Sequence, residues 1–225
     1  MKERVKNLLL GTGLVRVWNR RFGGNRARSR GPNCRIRIGK SLLTQTRIRA
    51  EGRNNVVSIG DHCRLHDLKI IVVGENLRVA IADNCQLRGK IIVEDAGSFV
   101  EIGAGTTMVN ALLTAHEGAH VRIGNDGMFA DRVGVRAGDT HSILDAATGQ
   151  RLNPSRSIEI ARHVWLCAGV TVLKGCEIGA GTVVGGFSTV TASLPAGVLA
   201  VGIPAKVVRT GIAWQRERVA GAPAS

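Results

Sequence analysis

Residues 158–191 read IEIARHVWLCAGVTVLKGCEIGAGTVVGGFSTVT, and an apolar side chain recurs there at every sixth position. These positions are Ile160, Leu166, Val172, Ile178, Val184 and Val190, and a smaller residue precedes most of them by two. An α-helix has no period of six, whereas a strand alternates with a period of two, which divides six. The stretch therefore predicts an all-β fold, a parallel β-helix in which each hexapeptide forms one wall of a coil.

A looser form of the repeat extends toward the N-terminus. Its members are Ile38, Ile59, Ile81, Ile102 and Ile123, which are separated by 21, 22, 21 and 21 residues. These intervals predict three-walled coils with extra residues at a corner. The next equivalent position is Ile160, 37 residues later, which predicts a loop inserted near residues 142–157. We predict a solenoid over residues 36–208, a basic segment over 1–35 and a C-terminal cap over 209–225.

The composition agrees with a solenoid. Aromatic residues make up 3% of the 225 residues, Tyr is absent and Gly occurs 29 times, as expected for a flat coil filled by small and branched side chains. Cys63, Cys85 and Cys176 fall on the smaller inward position, which predicts buried free thiols. An odd cysteine number without a CxxC pair argues against a disulfide framework and favours the reducing cytoplasm. We see no signal peptide and no apolar run of the roughly 20 residues that a membrane span needs.

The charge is strongly basic and unevenly distributed. The net charge is +14, and residues 1–36 carry ten Lys and Arg residues against Glu3 alone. An anionic lipid surface, an acidic polymer or a nucleic acid could exploit this segment. Residues 1–18 could form a basic amphipathic helix on a membrane, although a solvated cap explains the charge equally well. Nucleic acid is disfavoured because aromatic side chains are not interleaved with the basic ones.

Four sequence blocks follow one another around and after the predicted insertion. They are D-x-H-x-I at residues 139–143, I-x-I-x-x-x-V-W at 158–165, L-K-G at 173–175 and G-x-P-A-K at 202–206. In this order the blocks resemble the hexapeptide-repeat acyltransferases, and among them the bacterial O-acetyltransferases of capsule and lipopolysaccharide. The resemblance covers about residues 36–212. It implies a left-handed β-helix, a homotrimer and acetyl-CoA bound between subunits as the acetyl donor.

The resemblance implies a catalytic role for His141 and Trp165. A sugar hydroxyl attacks a thioester once its proton is removed, and imidazole suits that task near neutral pH, so His141 is the predicted general base. By its spacing, His141 is the last in-register residue before the insertion, and Asp139 or Asp145 could orient its ring. Trp165 precedes an inward leucine and should point outward, where its indole N–H could donate to the departing sulfur. Packing at a subunit interface is the alternative role of Trp165.

Positions that match cofactor contacts in the family complete the predicted site. Ala168 and Gly186 match small residues along the pantetheine, Thr191 matches a position near its phosphate end, and Lys206 and Arg209 match cations that meet CoA phosphates. Ala192 and Cys167 depart from the family, which usually has Lys and Gly at these places. Cys167 could in principle carry the acyl group, but direct transfer from CoA makes it a packing residue.

Other functions remain open at this stage. A zinc lyase of the gamma carbonic anhydrase type shares the fold, and His116, His120 and His141 could then form a ligand set, although we expect no metal. A non-catalytic solenoid is a further alternative, as is transfer to a nucleotide sugar or antibiotic. The sequence favours transfer of acetyl to a bacterial surface polysaccharide, at the cytoplasmic face of the membrane.

Overall fold

The computed structural model describes residues 8–219, and they form a parallel β-solenoid of about eight turns. The helix α1 (Val15–Arg21) precedes the strands and packs on β3 through the buried Val15. Every strand pairing is parallel except the last, β19 with β20. The predicted all-β parallel solenoid is confirmed. Residues 1–7 and 220–225 lie outside the described residues, and so do the predicted helix over 1–18 and the predicted C-terminal cap in part.

The strands form two hydrogen-bonded sheets. The smaller sheet contains β2 (Arg35–Ile38), β5 (Val56–Ile59), β7 (Arg78–Ile81), β9 (Phe99–Ile102), β11 (His120–Ile123), β13 (Ile158–Ile160) and β16 (Glu177–Ile178). The larger sheet contains β1 (Arg26–Arg30), β3 (Leu42–Thr44), β4 (Arg47–Arg53), β6 (Arg64–Glu75), β8 (Gln86–Glu94), β10 (Thr107–Ala115), β12 (Met128–Arg136), β14 (Trp165–Leu166), β15 (Thr171–Leu173), β17 (Val183–Val184), β18 (Thr189–Val190), β19 (Val198–Gly202) and β20 (Ala205–Thr210).

Long strands of the larger sheet bend, so that this one sheet supplies two walls of the coil. The first wall stacks β3, the first halves of β6, β8, β10 and β12, then β14, β17 and β19. The second wall stacks β1, β4, the second halves of β6, β8, β10 and β12, then β15 and β18. The smaller sheet is the third wall. Register shifts between Leu65 and Leu68 and between Asn110 and Ala111 mark the corner between the first and second walls.

The six-residue pattern coincides with the core. All six main apolar positions from Ile160 to Val190 are buried, and so are the smaller positions such as Val164 and Ser188. Cys63, Cys85 and Cys176 are buried as predicted. Phe129 is a large ring in this interior and is fully buried, which the low aromatic content did not indicate. Inward side chains thus stack coil on coil into one continuous core.

The predicted insertion lies between β12 and β13. Strand pairing on the second wall ends at Arg136, which is in register with Leu173. His141 follows that last pair and is exposed, so it lies in the loop rather than at the last in-register position of the stack. The six-residue spacing from Phe129 through Val135 to His141 continues although the backbone has already left the wall. The spacing alone therefore does not reveal where the loop begins. Residues 137–157 form this loop, the active-loop candidate.

Candidate active site

An open groove of about 630 Å³ runs along the first wall in its last coils. Trp165 lies in this groove, half-buried, because its neighbour Leu166 takes the inward position of the strand. The column above it continues through Val183 to Leu199, and Arg209 reaches the same groove from β20. The groove therefore places an aromatic N–H donor and a cation on one surface, as a site for an acyl thioester bearing phosphates would need.

The C-terminal segment residues 211–216 forms one side of this groove. Trp214 stacks on His163 with ring centroids 4.0 Å apart and lies 5.8 Å from the Trp165 ring. The Trp214 Nε1–H donates to the His163 carbonyl at 3.0 Å. Arg216 donates to Asp126 at 2.9 Å and to the Thr107 hydroxyl at 2.9 Å. The sequence analysis missed this segment, although one of only three Trp residues in the chain was a signal for it.

His163 and Asp126 hold the C-terminal segment at the solenoid corner. His163 Nδ1 lies 2.6 Å from Asp126 Oδ2, and Nε2 lies 3.0 Å from the Trp214 carbonyl oxygen. The imidazole thus bridges the Asp126 carboxylate and the backbone of the C-terminal segment. Burial opposes ionisation of Asp126, but hydrogen bonds from His163 and Arg216 outweigh it and lower the pKa of this carboxyl.

Asn153 fixes the backbone on both sides of His141 in the active-loop candidate. Its Nδ2 donates to the His141 carbonyl at 2.8 Å and to Asp139 Oδ2 at 2.9 Å, while its Oδ1 accepts the Ile143 N–H at 2.6 Å. Asn153 is only 8% exposed. A buried amide with three such partners fixes the path of the loop, and the His141 side chain extends from it into solvent.

Two acidic residues anchor the loop to the solenoid. Asp139 accepts hydrogen bonds from Lys174 and Asn153, which lower the pKa of its carboxyl. Glu117 accepts from Arg151 and from the Ser155 N–H, and these bonds lower the pKa of Glu117 to about 2. Because Lys174 belongs to the following coil and Glu117 to the preceding one, the loop is attached to the solenoid at both its beginning and its end.

The structure does not support an orienting role for Asp139 or Asp145. Asp139 binds Lys174 and Asn153, and Asp145 accepts from the N–H groups of Ala147 and Thr148 within its own turn. Within residues 8–219, no carboxylate is hydrogen-bonded to the His141 ring. Asp145 is thus occupied by backbone donors of its own turn, whereas Asp139 is occupied by side chains that are distant in sequence.

The predicted cofactor positions divide between the groove and its edges. Trp165 and Arg209 line the groove, and Ala168 and Gly186 directly follow the lining residues Cys167 and Gly185. Thr191 and Lys206 are exposed and do not line the groove. The Cys167 thiol faces the groove, and burial raises its pKa, which argues against an acyl-carrying thiolate.

His120, one of the histidines considered as a zinc ligand, is hydrogen-bonded and stacked within its own wall. His120 bonds Glu159 through Nε2 at 2.6 Å and Ser157 through Nδ1 at 2.9 Å, and its ring stacks on Phe99. In the described part of the chain, no three His, Cys, Asp or Glu side chains are arranged to hold a metal ion. Over the same residues, the structure contains no helix with the length and apolar character of a membrane span.

His141 and Trp165 occupy different parts of the coil. Trp165 lies on the first wall, in register with Met128 at the start of β12. The loop with His141 begins after Arg136, the last paired residue of β12 on the second wall, at the corner toward the third wall. Strand β12 thus crosses the whole first and second walls between the two predicted catalytic residues. A single chain does not bring them together.

The amino-acid sequence is similar to those of known bacterial O-acetyltransferases. A profile for the bacterial transferase hexapeptide (six repeats) matches residues 157–192. A polysialic acid O-acetyltransferase of Neisseria meningitidis is 35% identical over 146 residues, which cover 64% of this chain and 68% of the relative. A polysialic acid O-acetyltransferase of Escherichia coli O1:K1 / APEC is 34% identical over 61% of this chain. The aligned part spans 45% of that relative's length.

A crystal structure has the same fold over most of the chain. The polysialic acid O-acetyltransferase OatWY superposes with a TM-score of 0.82 at 32% identity, covering 87% of this chain and 94% of the other. This likeness confirms the predicted left-handed β-helix.

Proposed function

The chain belongs to the hexapeptide-repeat O-acetyltransferases, and we propose that it transfers acetyl from acetyl-CoA to a hydroxyl of a bacterial surface polysaccharide. The observation that carries the proposal is the groove in which Trp165 and Arg209 lie together on the first wall. Acetyl-CoA supplies an activated acyl group as its thioester. The groove residues fit this donor, since Arg209 can meet a phosphate and small residues at the adjacent corner leave room for a narrow chain.

The proposed mechanism uses His141 and Trp165 in separate steps of charge handling. His141 accepts the proton of the acceptor hydroxyl as its oxygen attacks the carbonyl carbon of the thioester. As the carbon–sulfur bond breaks, Trp165 donates its indole N–H to the sulfur that gains negative charge. The proton held by His141 then passes to the departing thiolate, which leaves as free CoA thiol. Cys167 takes no part, because the acyl group moves directly from sulfur to oxygen.

A homotrimer completes the site in this proposal. His141 and Trp165 lie on different walls of one chain, so a second copy must bring its loop to the groove. Closed rotational symmetry then forms the same site at every interface. Arg209 binds donor phosphates in the groove, while the exposed Lys206 and Thr191, which do not line the groove, contact the donor beyond it.

The proposed location is the cytoplasmic face of the membrane. Helix α1 carries Arg20 and Arg21 in its last turn, and Leu14, Val17 and Phe22 beside them are more than half exposed. Basic and apolar side chains together on one short helix suit peripheral contact with an anionic membrane. Release of the protein from anionic vesicles by Leu14→Ser/Val17→Ser would test this contact.

The experiment that tests the proposed function follows free thiol release from acetyl-CoA with a panel of acidic and neutral polysaccharides and small sugars. The wild type should release thiol only with a saccharide acceptor, and His141→Ala should lower kcat by at least about 10²-fold. His66→Ala is the matched control, because His66 is an exposed histidine on β6, away from the loop. Equal rates in His141→Ala and the wild type would refute the assigned base.

A further inference from the structure

The outward face of the second wall carries a column of cations in register. Arg26 pairs with Arg47, Arg47 with Lys69, and Lys69 with Lys90, on strands β1, β4, β6 and β8. Neighbouring strands are ~4.8 Å apart, so each side chain stands directly beside the next. A second, shorter column places Arg28 beside Arg49. The basic column is defined here as Arg26, Arg47, Lys69 and Lys90.

The two carboxylates that line the same depressions as the basic column, Glu51 and Asp67, are paired with Arg49 and Arg88. Among residues 8–219, none of its four members forms an ion pair, whereas Arg49 beside it binds Glu51. That hydrogen bond from Arg49 lowers the pKa of Glu51, and the charges of Arg30 and Arg28 lower it further. Like charges directly opposite one another on neighbouring strands destabilise a sheet. Four aligned cations therefore cost the protein stability unless an external anion neutralises them.

The column lies in a groove that leads toward the active-loop candidate. One depression of about 410 Å³ is lined by Arg26, Arg47 and Lys69, and the next, of about 570 Å³, by Lys69, Lys90 and Arg136. Lys69 lines both, so the two depressions adjoin at this residue. Arg136 is the last paired residue before the loop with His141. From β1 to β12 the groove crosses five strand spacings, about 24 Å.

The shape of the groove selects the class of ligand. A flat bilayer cannot enter a groove that crosses the strands, whereas a single extended chain can lie in it. No aromatic side chain lines either depression, so a nucleic acid would find no stacking surface among the lining residues. We propose that this groove binds a linear acidic polysaccharide, whose regularly spaced anions lie along the basic column while one of its sugar units reaches the His141 loop.

This inference rests on the proposed function and deepens it. It makes the acceptor a polymer of acidic sugars and makes transfer depend on chain length. A short acceptor reaches the loop without contacting Arg26 or Arg47, whereas a chain that spans about 24 Å contacts the whole column. The remote contacts lower KM for long chains and leave the chemical step at His141 unchanged.

The test compares two variants that each remove two cations. Arg47→Ala/Lys69→Ala interrupts the basic column, and Arg35→Ala/Arg37→Ala removes two exposed arginines of the third wall, where they pair with Val56 and Ser58. KM and kcat are measured with acidic oligosaccharides of increasing length and with the polymer. The column variant should raise KM for long chains on the order of tenfold, abolish its dependence on length and leave kcat unchanged. The control variant should behave as the wild type.

Further readouts separate this role from a structural one. The column variant should unfold at the same or a higher temperature, since like-charge repulsion is removed, and its oligomeric state should not change. Transfer that occurs equally well at all lengths in both proteins would overturn the column while leaving the proposed function intact. A column variant that loses binding to phosphatidylglycerol vesicles but keeps its KM for the polymer would overturn it in favour of a membrane. No transfer to any saccharide would refute the proposed function instead.

Discussion

At the scale of single residues, Asn153 is the side chain on which the position of His141 depends. It binds the carbonyl of His141, the N–H of Ile143 and the carboxylate of Asp139 through one buried amide. These three groups lie within residues 139–143, the part of the loop that contains the proposed base. An error of even 1 Å in the placement of a base lowers the rate of proton removal steeply. Asn153 is thus a positioning residue that acts through His141.

Asn153→Ala should lower kcat by about tenfold or more while KM for acetyl-CoA changes little, because the donor groove lies on another wall. Loss of the amide also removes its hydrogen bond to the Ile143 N–H, at a cost of about 0.5–1.5 kcal/mol in the free energy of unfolding. Steady-state kinetics and denaturant unfolding measure the two effects. Asn110→Ala is the control, since Asn110 bonds only Asp131 on the exposed face of β10. An unchanged kcat in Asn153→Ala would contradict the positioning role.

The sequence indicated His141 and Trp165 but not Asn153. The two proposed catalytic residues lie in blocks whose order resembles a known family, so a one-dimensional reading suffices to select them. Asn153 acts by folding back over ten or more residues onto His141 and Ile143, and no periodicity encodes that return. The same limit applies to the prediction for Asp139. Its distance from His141 in sequence is short, but its hydrogen bonds go to Lys174 and Asn153.

At the scale of structural elements, the active-loop candidate is held by Glu117 from the preceding coil. Arg151 and the Ser155 N–H donate to this carboxylate and lower its pKa from 4.5 to about 2. A carboxyl whose pKa is lower in the folded protein stabilises the fold above its unfolded value. The anchoring is therefore complete above pH 4.5 and is lost as the pH falls toward 2.

This linkage predicts a pH-dependent difference in the mobility of the loop. Amide hydrogen exchange in residues 143–155 should be faster in Glu117→Gln than in the wild type at pH 5, and the difference should vanish as the pH falls to about 2. Glu51→Gln removes an ion-paired carboxylate far from the loop and should leave its exchange unchanged. The same exchange in Glu117→Gln and the wild type at pH 5 would show that Glu117 does not anchor the loop.

At the scale of the whole molecule, the hexapeptide period was sufficient to predict the three-walled solenoid. The inward positions repeat because the inward side chains of each coil pack on those of the next coil, so the spacing of apolar residues predicts the fold. The placement of charge was less predictable. Extra corner residues make the early coils 21 or 22 residues long, and only the observed register shows that Arg26, Arg47, Lys69 and Lys90 share one column. The return of residues 211–216 to the groove has no periodic signal at all.

The separation of His141 and Trp165 predicts complementation between subunits. His141→Ala and Trp165→Ala should each be weakly active alone, but trimers assembled from an equal mixture should regain about a quarter of the wild-type activity. That fraction is the chance, over trimers assembled at random, that an interface combines the intact loop of one copy with the intact groove of the next. Selection of the mixed trimers by two different affinity tags should raise it to about a third, because each mixed trimer holds one such interface among its three. Activity no higher than the mean of the two single variants would mean that both residues act within one chain.

Acetyl transfer to a polysaccharide with His141 as the base is tested most directly by detecting the acetyl group on the polysaccharide itself. An acidic bacterial polysaccharide is incubated with acetyl-CoA labelled with ¹³C in the acetyl group, and the purified polymer is analysed by NMR. We expect a new base-labile O-acetyl ester on the polymer with the wild type and none with His141→Ala. The proposed transfer would be refuted if no acidic polysaccharide gained an ester, and the role of His141 would be refuted if the ester formed equally with His141→Ala.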